Sequence, residues 1–257
     1  MDLNLRGKTA MITGGSRGIG RAVAEALAQE GVNLRLVGRT LTSLQEVQQS
    51  LLQKHSIGVE ICETDLSDRG AAEKLAAKNS GIDILVNNAG AVPAGSLQGI
   101  DDDAWRNAWD LKVFGYINLT RSCYLDMRKR GYGVIVNIIG TAGERHDPSY
   151  IAGTTGNASL MAFTRALGSR SHLDNIRVLG INPGLTRTDR LEQQARTRAR
   201  MAGKDPEDWR QMLGQLPFNR PAEVSEVAAV VTFMSSPRAS YVSGTIVTVD
   251  AGHSVAG

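Results

Sequence analysis

A doubly wound α/β chain, one parallel sheet with helices on both faces, is the fold class this sequence predicts, and three observations predict it. Short apolar runs of strand length alternate with stretches of helical spacing through all 257 residues. The first run opens through a glycine-rich turn directly into a helix. No linker, low-complexity tract or internal repeat divides the chain, so 1–257 reads as a single domain. Alternation of this kind requires right-handed crossovers and covers both faces of the sheet.

The elements are justified in order. "KTAMITG" (8–14) is an apolar run ending in Gly, a first strand. Ile19, Val23, Ala26 and Leu27 recur at helical spacing, and Gly31 closes that helix. "VNLRLVG" (32–38) alternates like a strand, 41–54 is helical, and "VEIC" (59–62) is a third strand. "IDILVNNAG" (82–90) is a buried strand ending in a turn, followed by a long helix from about Asp101 to Arg130. The strand "GVIVNII" (133–139), a helix over 149–171 and the strand "IRVLGIN" (176–182) come next. A helix over 223–235 and a strand over 244–249 close the chain. Between them 185–220 is irregular and long enough to be a lid over a substrate site.

Composition limits the function classes. With 42% apolar and 21% charged residues the chain reads as an ordinary soluble protein. Its longest apolar stretches, such as "GVIVNIIG" (133–140), fall far short of the roughly 20 residues that a membrane span needs. The N-terminal "MDLNLRGKTAMITGG" has no apolar run of signal-peptide length, so the expected location is cytoplasmic, with no membrane partner. Net charge is +3, and the excess is concentrated in "RTDRLEQQARTRARMAGK" (187–204), expected to be a solvated helix face rather than a nucleic-acid surface. Cys62 and Cys123 have neither metal-ligand nor redox-pair spacing, and no metal site is expected.

The turn "TGGSRGIG" (13–20) is the strongest chemical signal. Gly14, Gly18 and Gly20 are spaced so that the backbone turns tightly, approaches a pyrophosphate, and packs the next helix onto the strand. The amides opening that helix then face the phosphates. Strand, turn and helix stand in the order that dinucleotide binding needs.

With "TGGSRGIG", the segments "TDLSD" (64–68), "NNAG" (87–90), "NPGLTRT" (182–188) and "VSGTIVTVDAG" (242–252) appear in order and at the right distances, and the chain resembles the short-chain dehydrogenases/reductases from end to end. The resemblance implies a Rossmann-like subunit, a nicotinamide dinucleotide, a small-molecule substrate, and a homodimer or homotetramer. It assigns the cofactor to Gly14, Ser16, Arg17, Gly18, Ile19 and Gly20 of the first turn and to Asp65 and Leu66, with Asp65 at the adenine. It adds Asn88, Ala89 and Gly90, then Pro183, Gly184 and Thr188. After the second strand, members preferring NAD(H) carry an acid for the ribose 2′-hydroxyl, whereas here Gly38 is followed by Arg39 and Thr40. Arg17 and Arg39 suit a 2′-phosphate, so NADP(H) is favoured over NAD(H).

The family's reaction uses a Tyr, a Lys four residues later, a Ser thirteen residues earlier, and an Asn on the preceding long helix. Counting from the landmark "FTRALG" (163–168) puts Gly153 at the Tyr, Asn157 at the Lys and Gly140 at the Ser. "WDLKVFGYINLTRS" (109–122) puts Lys112 at the Asn. A second register takes Tyr150 as the Tyr, but then Thr154 stands for the Lys and Asn137 for the Ser. In the first register Gly153 offers no proton and Gly140 no hydroxyl. Asn157 cannot depress a phenol's pKa, although its amide can still hold ribose hydroxyls.

Replacement groups are Lys112, Tyr150 and, third, His146, in the loop "TAGERHDPSY" (141–150) that also brings Glu144 and Asp147. The leading expectation is an NADP(H)-dependent oxidoreductase with a displaced catalytic set. The alternatives are an NADP(H)-binding protein without turnover, such as a sensor or assembly partner, and a non-redox enzyme using the same pocket.

Overall fold

The computed structural model describes residues 1–254. Seven strands form one parallel sheet in the order β3-β2-β1-β4-β5-β6-β7. They are β1 (Thr9–Thr13), β2 (Asn33–Gly38), β3 (Val59–Glu63), β4 (Ile84–Asn87), β5 (Gly133–Ile138), β6 (Ile176–Pro183) and β7 (Ile246–Val249). β4 and β5 are buried along their whole length, the mark of strands covered on both faces. The pleat sorts neighbours onto opposite sides. Ala10 and Ile12 of β1 join one core layer, and Met11 joins the other.

Three helices cover the first face: α1 (Gly18–Gln29), α2 (Leu41–Lys54) and α8 (Val224–Ser235) contribute Val23, Leu44 and Val231 to its core. The second face is covered by α3 (Ala71–Lys78) and α5 (Gly115–Arg130), which contribute Leu75, Leu119 and Met127. No strand or helix was expected where α3 lies. It spans 8 residues and buries only Ala72 and Leu75, too few for a periodic signal.

Two expected helices are revised. The long helix over 101–130 is α4 (Asp102–Trp109), a π-helical turn over Asp110–Phe114, and then α5. That turn carries Lys112, and π-bulges tend to mark functional sites. The helix expected over 149–171 is α6 (Ile151–Gly168), capped by Tyr150 and followed by a separate 3-10 turn over Ser171–Asp174. The segment 185–220 contains α7 (Asp189–Met201) and a 3-10 stretch over Pro206–Leu213, not a fully irregular loop. Ala195, Ala199 and Trp209 bury its inner face, a stripe that the surrounding arginines hide in the sequence.

The order of the strands positions the site. The chain runs outward from β1 to β3, then crosses back to β4 on the other side of β1. Ligands of doubly wound sheets bind outside the carboxyl ends of the strands at this switch point.

Candidate active site

Backbone geometry builds the cleft at the ends of β1 and β4. Gly14 and Gly18 hold φ of +65° and +54°, in the left-handed region that favours glycine. The Thr13 hydroxyl accepts the amides of Asn88 and Ala89, each at 2.9 Å. Asn88 Nδ2 donates to Thr13 O at 3.0 Å and to Gly14 O at 3.2 Å, stitching the two turns together. A Cβ at Gly20 would lie 2.2 Å from Gly14 O and 2.4 Å from Asn88 Nδ2. Gly20 is therefore buried beneath the turn and does not line the cleft, contrary to the expectation that it touches cofactor.

The cleft encloses about 870 Å³. Gly14, Ser16, Arg17, Gly18 and Ile19 line it from the first turn, and Arg39, Thr40 and Leu66 from the ends of β2 and β3. Asn88, Ala89 and Gly90 line it after β4, and Pro183, Gly184 and Thr188 after β6. Asp65, expected at the adenine, is not on the wall. Its carboxylate is turned to Ser67, accepting from the hydroxyl at 2.6 Å and the amide at 3.0 Å, and pairs with Arg39 at 3.6 Å. Burial pushes its pKa up, but the bonds from Ser67 and the Arg39 charge outweigh that and hold it below the ordinary aspartate value.

Asn157 also lies behind the wall, buried beside Gly140. Gly140 holds φ of +130°, and a Cβ there would stand 3.2 Å from Asn157 Nδ2. Asn157 Oδ1 is buried without a hydrogen-bond partner, a vacancy for a hydroxyl or a water.

Lys112 stands on the cleft wall. Its ammonium donates to Ile139 O at 2.8 Å and to Ile138 O at 3.3 Å, where β5 ends. A Cβ on Gly90 would meet Lys112 Cδ at 2.7 Å, so the bare backbone of Gly90 leaves room for the stem. Burial, helped by the like charge of Arg190, pulls the Lys112 pKa down to about 7. Two of its three N–H bonds are used by carbonyls. One tetrahedral position remains, as a proton or as a lone pair.

Tyr150 does not line the cleft. It packs against the cluster of Val92, Ile100, Ala108 and Ala152, and Val92 is itself on the cleft wall. A Cβ on Gly153 would lie 2.0 Å from Tyr150 Cε1 and 2.1 Å from Cζ, so the ring fills the volume in which a side chain at 153 would begin. Burial holds the phenol pKa above its ordinary value, with Arg190 pulling the other way. His146 is exposed and off the wall. The loop turns it to solvent, and polarity alone could not distinguish an outward from an inward loop. Glu144, from the same loop, does reach inward, its Oε1 accepting from Asn182 Nδ2 at 3.2 Å.

Arg190 was not anticipated. It opens α7, lines the cleft and crosses it, with Nη1 donating to Gly90 O at 3.1 Å and Nη2 to Val92 O at 2.7 Å. Its place two residues after "NPGLTRT" was the available signal, but nothing local says that it meets carbonyls about a hundred residues away. Among the described residues no group of His, Cys, Asp and Glu is gathered to hold a metal, and no helix is long and apolar enough to cross a membrane.

A doubly wound sheet whose cleft opens at the switch point, floored by a glycine-rich turn, defines the class: an α/β protein on the Rossmann-like plan. More closely, the chain belongs to the short-chain dehydrogenase family of oxidoreductases, whose model matches residues 8–199. It is similar to the 3-oxoacyl-acyl-carrier-protein reductase FabG of Escherichia coli, with 31% identity over 256 residues, 97% of this chain and 98% of that one. Oxidoreductase UcpA of Escherichia coli is 32% identical over 253 residues, 96% of this chain and 95% of that one. Among solved structures, L-sorbose reductase from Gluconobacter frateurii, complexed with NADPH and L-sorbose, superimposes with a TM-score of 0.92 at 32% identity, with 98% of each chain covered.

Proposed function

We propose that the protein is a cytoplasmic, oligomeric reductase of one domain that binds NADP(H) in preference to NAD(H) and acts at a carbonyl or alcohol carbon with a displaced catalytic set. The residues of the cleft fit the dinucleotide. Bare backbone at Gly14 and Gly18 suits a pyrophosphate, and Arg17 and Arg39 suit a 2′-phosphate with no acid at Gly38. NADPH on L-sorbose reductase supports the same choice. The cofactor, when bound, supplies the hydride.

What this chain supplies is the proton, and the observation that carries the reading is Lys112. Its ammonium is fixed on the cleft wall by two carbonyls, with its pKa brought to about 7. A group poised near neutral pH is half charged there and suits general acid catalysis. The remaining N–H of Lys112 protonates the substrate oxygen during reduction, and the neutral amine takes the proton back during oxidation. Gly140, Gly153 and Asn157 replace the family's Ser, Tyr and Lys in this reading, and Tyr150 is the second candidate group, with its ring over Gly153 backing the Val92 wall. Residues 185–220 form the substrate lid, bringing Asp189, Arg190 and Gln193 to the cleft.

The experiment mixes protein and NADPH anaerobically with a panel of ketones and aldehydes, reading NADPH binding by fluorescence and its consumption by absorbance. Consumption by the native protein that is lost in Lys112→Met, with NADPH still bound, supports the reading. Consumption undiminished in Lys112→Met overturns it. A second reading, a dinucleotide-binding protein without turnover, is favoured by the exclusion of Tyr150 and His146 from the cleft wall. NADPH binding with no consumption across the panel supports that one.

A further inference from the structure

Charge is unevenly spread along the cleft. Arg17 and Arg39 stand at one end, Lys112 and Arg190 at the other, and Asp189 is the single acid on the wall among the described residues. Neither Lys112 nor Arg190 makes an ion pair among the described residues, although Arg21, Arg39, Arg187 and Arg196 all have acidic partners. The Lys112 ammonium feels burial and the Arg190 charge, and no carboxylate offsets them.

Arg190 uses one N–H of each terminal nitrogen on the carbonyls of Gly90 and Val92, which leaves three of its five donors for a ligand. A guanidinium held by two backbone carbonyls is pre-oriented, and its fork matches a carboxylate with two parallel bonds. The Gly-rich turn and the start of α1 are where a dinucleotide's pyrophosphate would be met, so the cations at the Lys112 end have no phosphate of their own.

We propose that the substrate is an oxo acid, whose carboxylate is received by Arg190 while its carbonyl oxygen faces Lys112. The inference rests on the reductase reading for the carbonyl, but the carboxylate site stands on geometry that binding alone can test. An anion between the two cations also relieves their mutual repulsion, so Arg190 orients the substrate and returns Lys112 towards its charged, proton-donating form.

The test uses full-length protein saturated with NADP+, with which an oxo acid cannot be reduced, and calorimetric titration with short 2-oxo and 3-oxo carboxylic acids, each beside its methyl ester, with NADPH affinity and NADPH consumption read in parallel assays. The acid should bind at least about tenfold more tightly than its ester, the scale of a charge-assisted hydrogen bond. In Arg190→Gln that preference should fall to within about threefold while NADPH affinity is unchanged, and Arg190→Lys should keep part of it. Equal binding of acid and ester overturns the proposal, as does binding of neither. Loss of NADPH affinity in Arg190→Gln with the acid preference intact also overturns it, because the cofactor's phosphates are then the anion that Arg190 serves. An acid preference that depends on Arg190, with no NADPH consumed, supports the carboxylate site and overturns the reductase reading.

Discussion

Gly153 and Tyr150 are the sharpest place to perturb this site. Alanine in a helix is ordinarily worth up to about 1 kcal/mol over glycine, and Gly153 is the third residue of α6. Here the added Cβ would lie 2.0, 2.1 and 2.6 Å from three carbons of the Tyr150 ring, whereas carbon atoms rest about 3.5–4.0 Å apart. The ring must therefore move by roughly 1.5 Å against the cluster it packs on, and overpacking of this kind costs about 1–3 kcal/mol. Gly153→Ala should lose about 1 kcal/mol in the native background and gain about 1 kcal/mol once Tyr150→Ala has removed the ring. The coupling is then about 2 kcal/mol. At about 3 °C per kcal/mol for a chain of this size, the two backgrounds should differ by roughly 6 °C in the Tm shift that Gly153→Ala produces. Calorimetry of the four proteins at one concentration measures it. The same shift in both backgrounds refutes the packing of the ring over residue 153. A triple variant, Gly140→Ser, Gly153→Tyr and Asn157→Lys, meets the same ring and also puts a side chain at φ +130°, so it should not gain strong ketone reduction. Strong reduction by that variant would mean that the site had only decayed.

The remaining predictions concern charge and assembly. An unfolded lysine titrates near about 10.4, and Lys112 in the folded protein near about 7, so between those values the unfolded chain holds a proton that the folded one has released. Folding stability should rise with pH across that window by up to about 1.4 kcal/mol per unit, and Lys112→Met should lack that slope in urea unfolding at about pH 7 and pH 9.5. Equal slopes would refute the burial of the amine. For the cofactor, NADPH should bind more tightly than NADH by about 1–3 kcal/mol. Gly38→Asp, whose Cβ would meet only Leu44 at 3.4 Å, should reverse the order in fluorescence titrations, and an unchanged preference would count against the placement of the 2′-phosphate. For assembly, α5 exposes Phe114 at its N-terminal cap and Leu125, and α6 exposes Ala158, Ala162 and Ala166, faces expected to pair with symmetry mates. Light scattering at micromolar concentration should exceed the 27.5 kDa of one chain, and a value at that mass refutes the pairing.

Most of the sheet is legible in the sequence because its strands are covered on both faces, and burial on both faces leaves nearly unbroken apolar runs such as "GVIVNII". The glycine-rich turn is legible for a local reason: Gly14 and Gly18 hold positive φ, and Gly20 must clear Gly14 O six residues earlier. Lys112 is legible as an anomaly, a charge on a helix facing the core, but its two carbonyl partners lie 26 and 27 residues further along the chain. Arg190 is a step beyond that, since its acceptors come from the far wall of the cleft. Short α3 falls below any periodic signal, and arginine-rich α7 reads as a helix whose buried stripe, Ala195 and Ala199, is hidden by its small residues. His146 shows the opposite failure, a titratable residue in the right loop whose direction depends on backbone turns that its own neighbours do not encode.

Two glycines, Gly140 and Gly153, bear on whether the proposed site is remodelled or eroded. Loss of function by drift removes side chains and leaves voids, and voids in a packed interior are costly. Each of these glycines instead faces a side chain in or near the volume its own would take, the Tyr150 ring over Gly153 and Asn157 Nδ2 beside Gly140, while the Lys112 stem lies against Gly90. The replacements are polar and differ in kind from one another. An amine lowered to about 7 stands on the cleft wall, with a phenol raised by burial and an amide with one unsatisfied oxygen packed off that wall. Burying an amine without an acid partner is unfavourable, and packing alone would be better served by a Met or Leu of similar length. A cost of that sort, beside a glycine that accommodates it, is what the proposed proton transfer at Lys112 accounts for and packing alone does not.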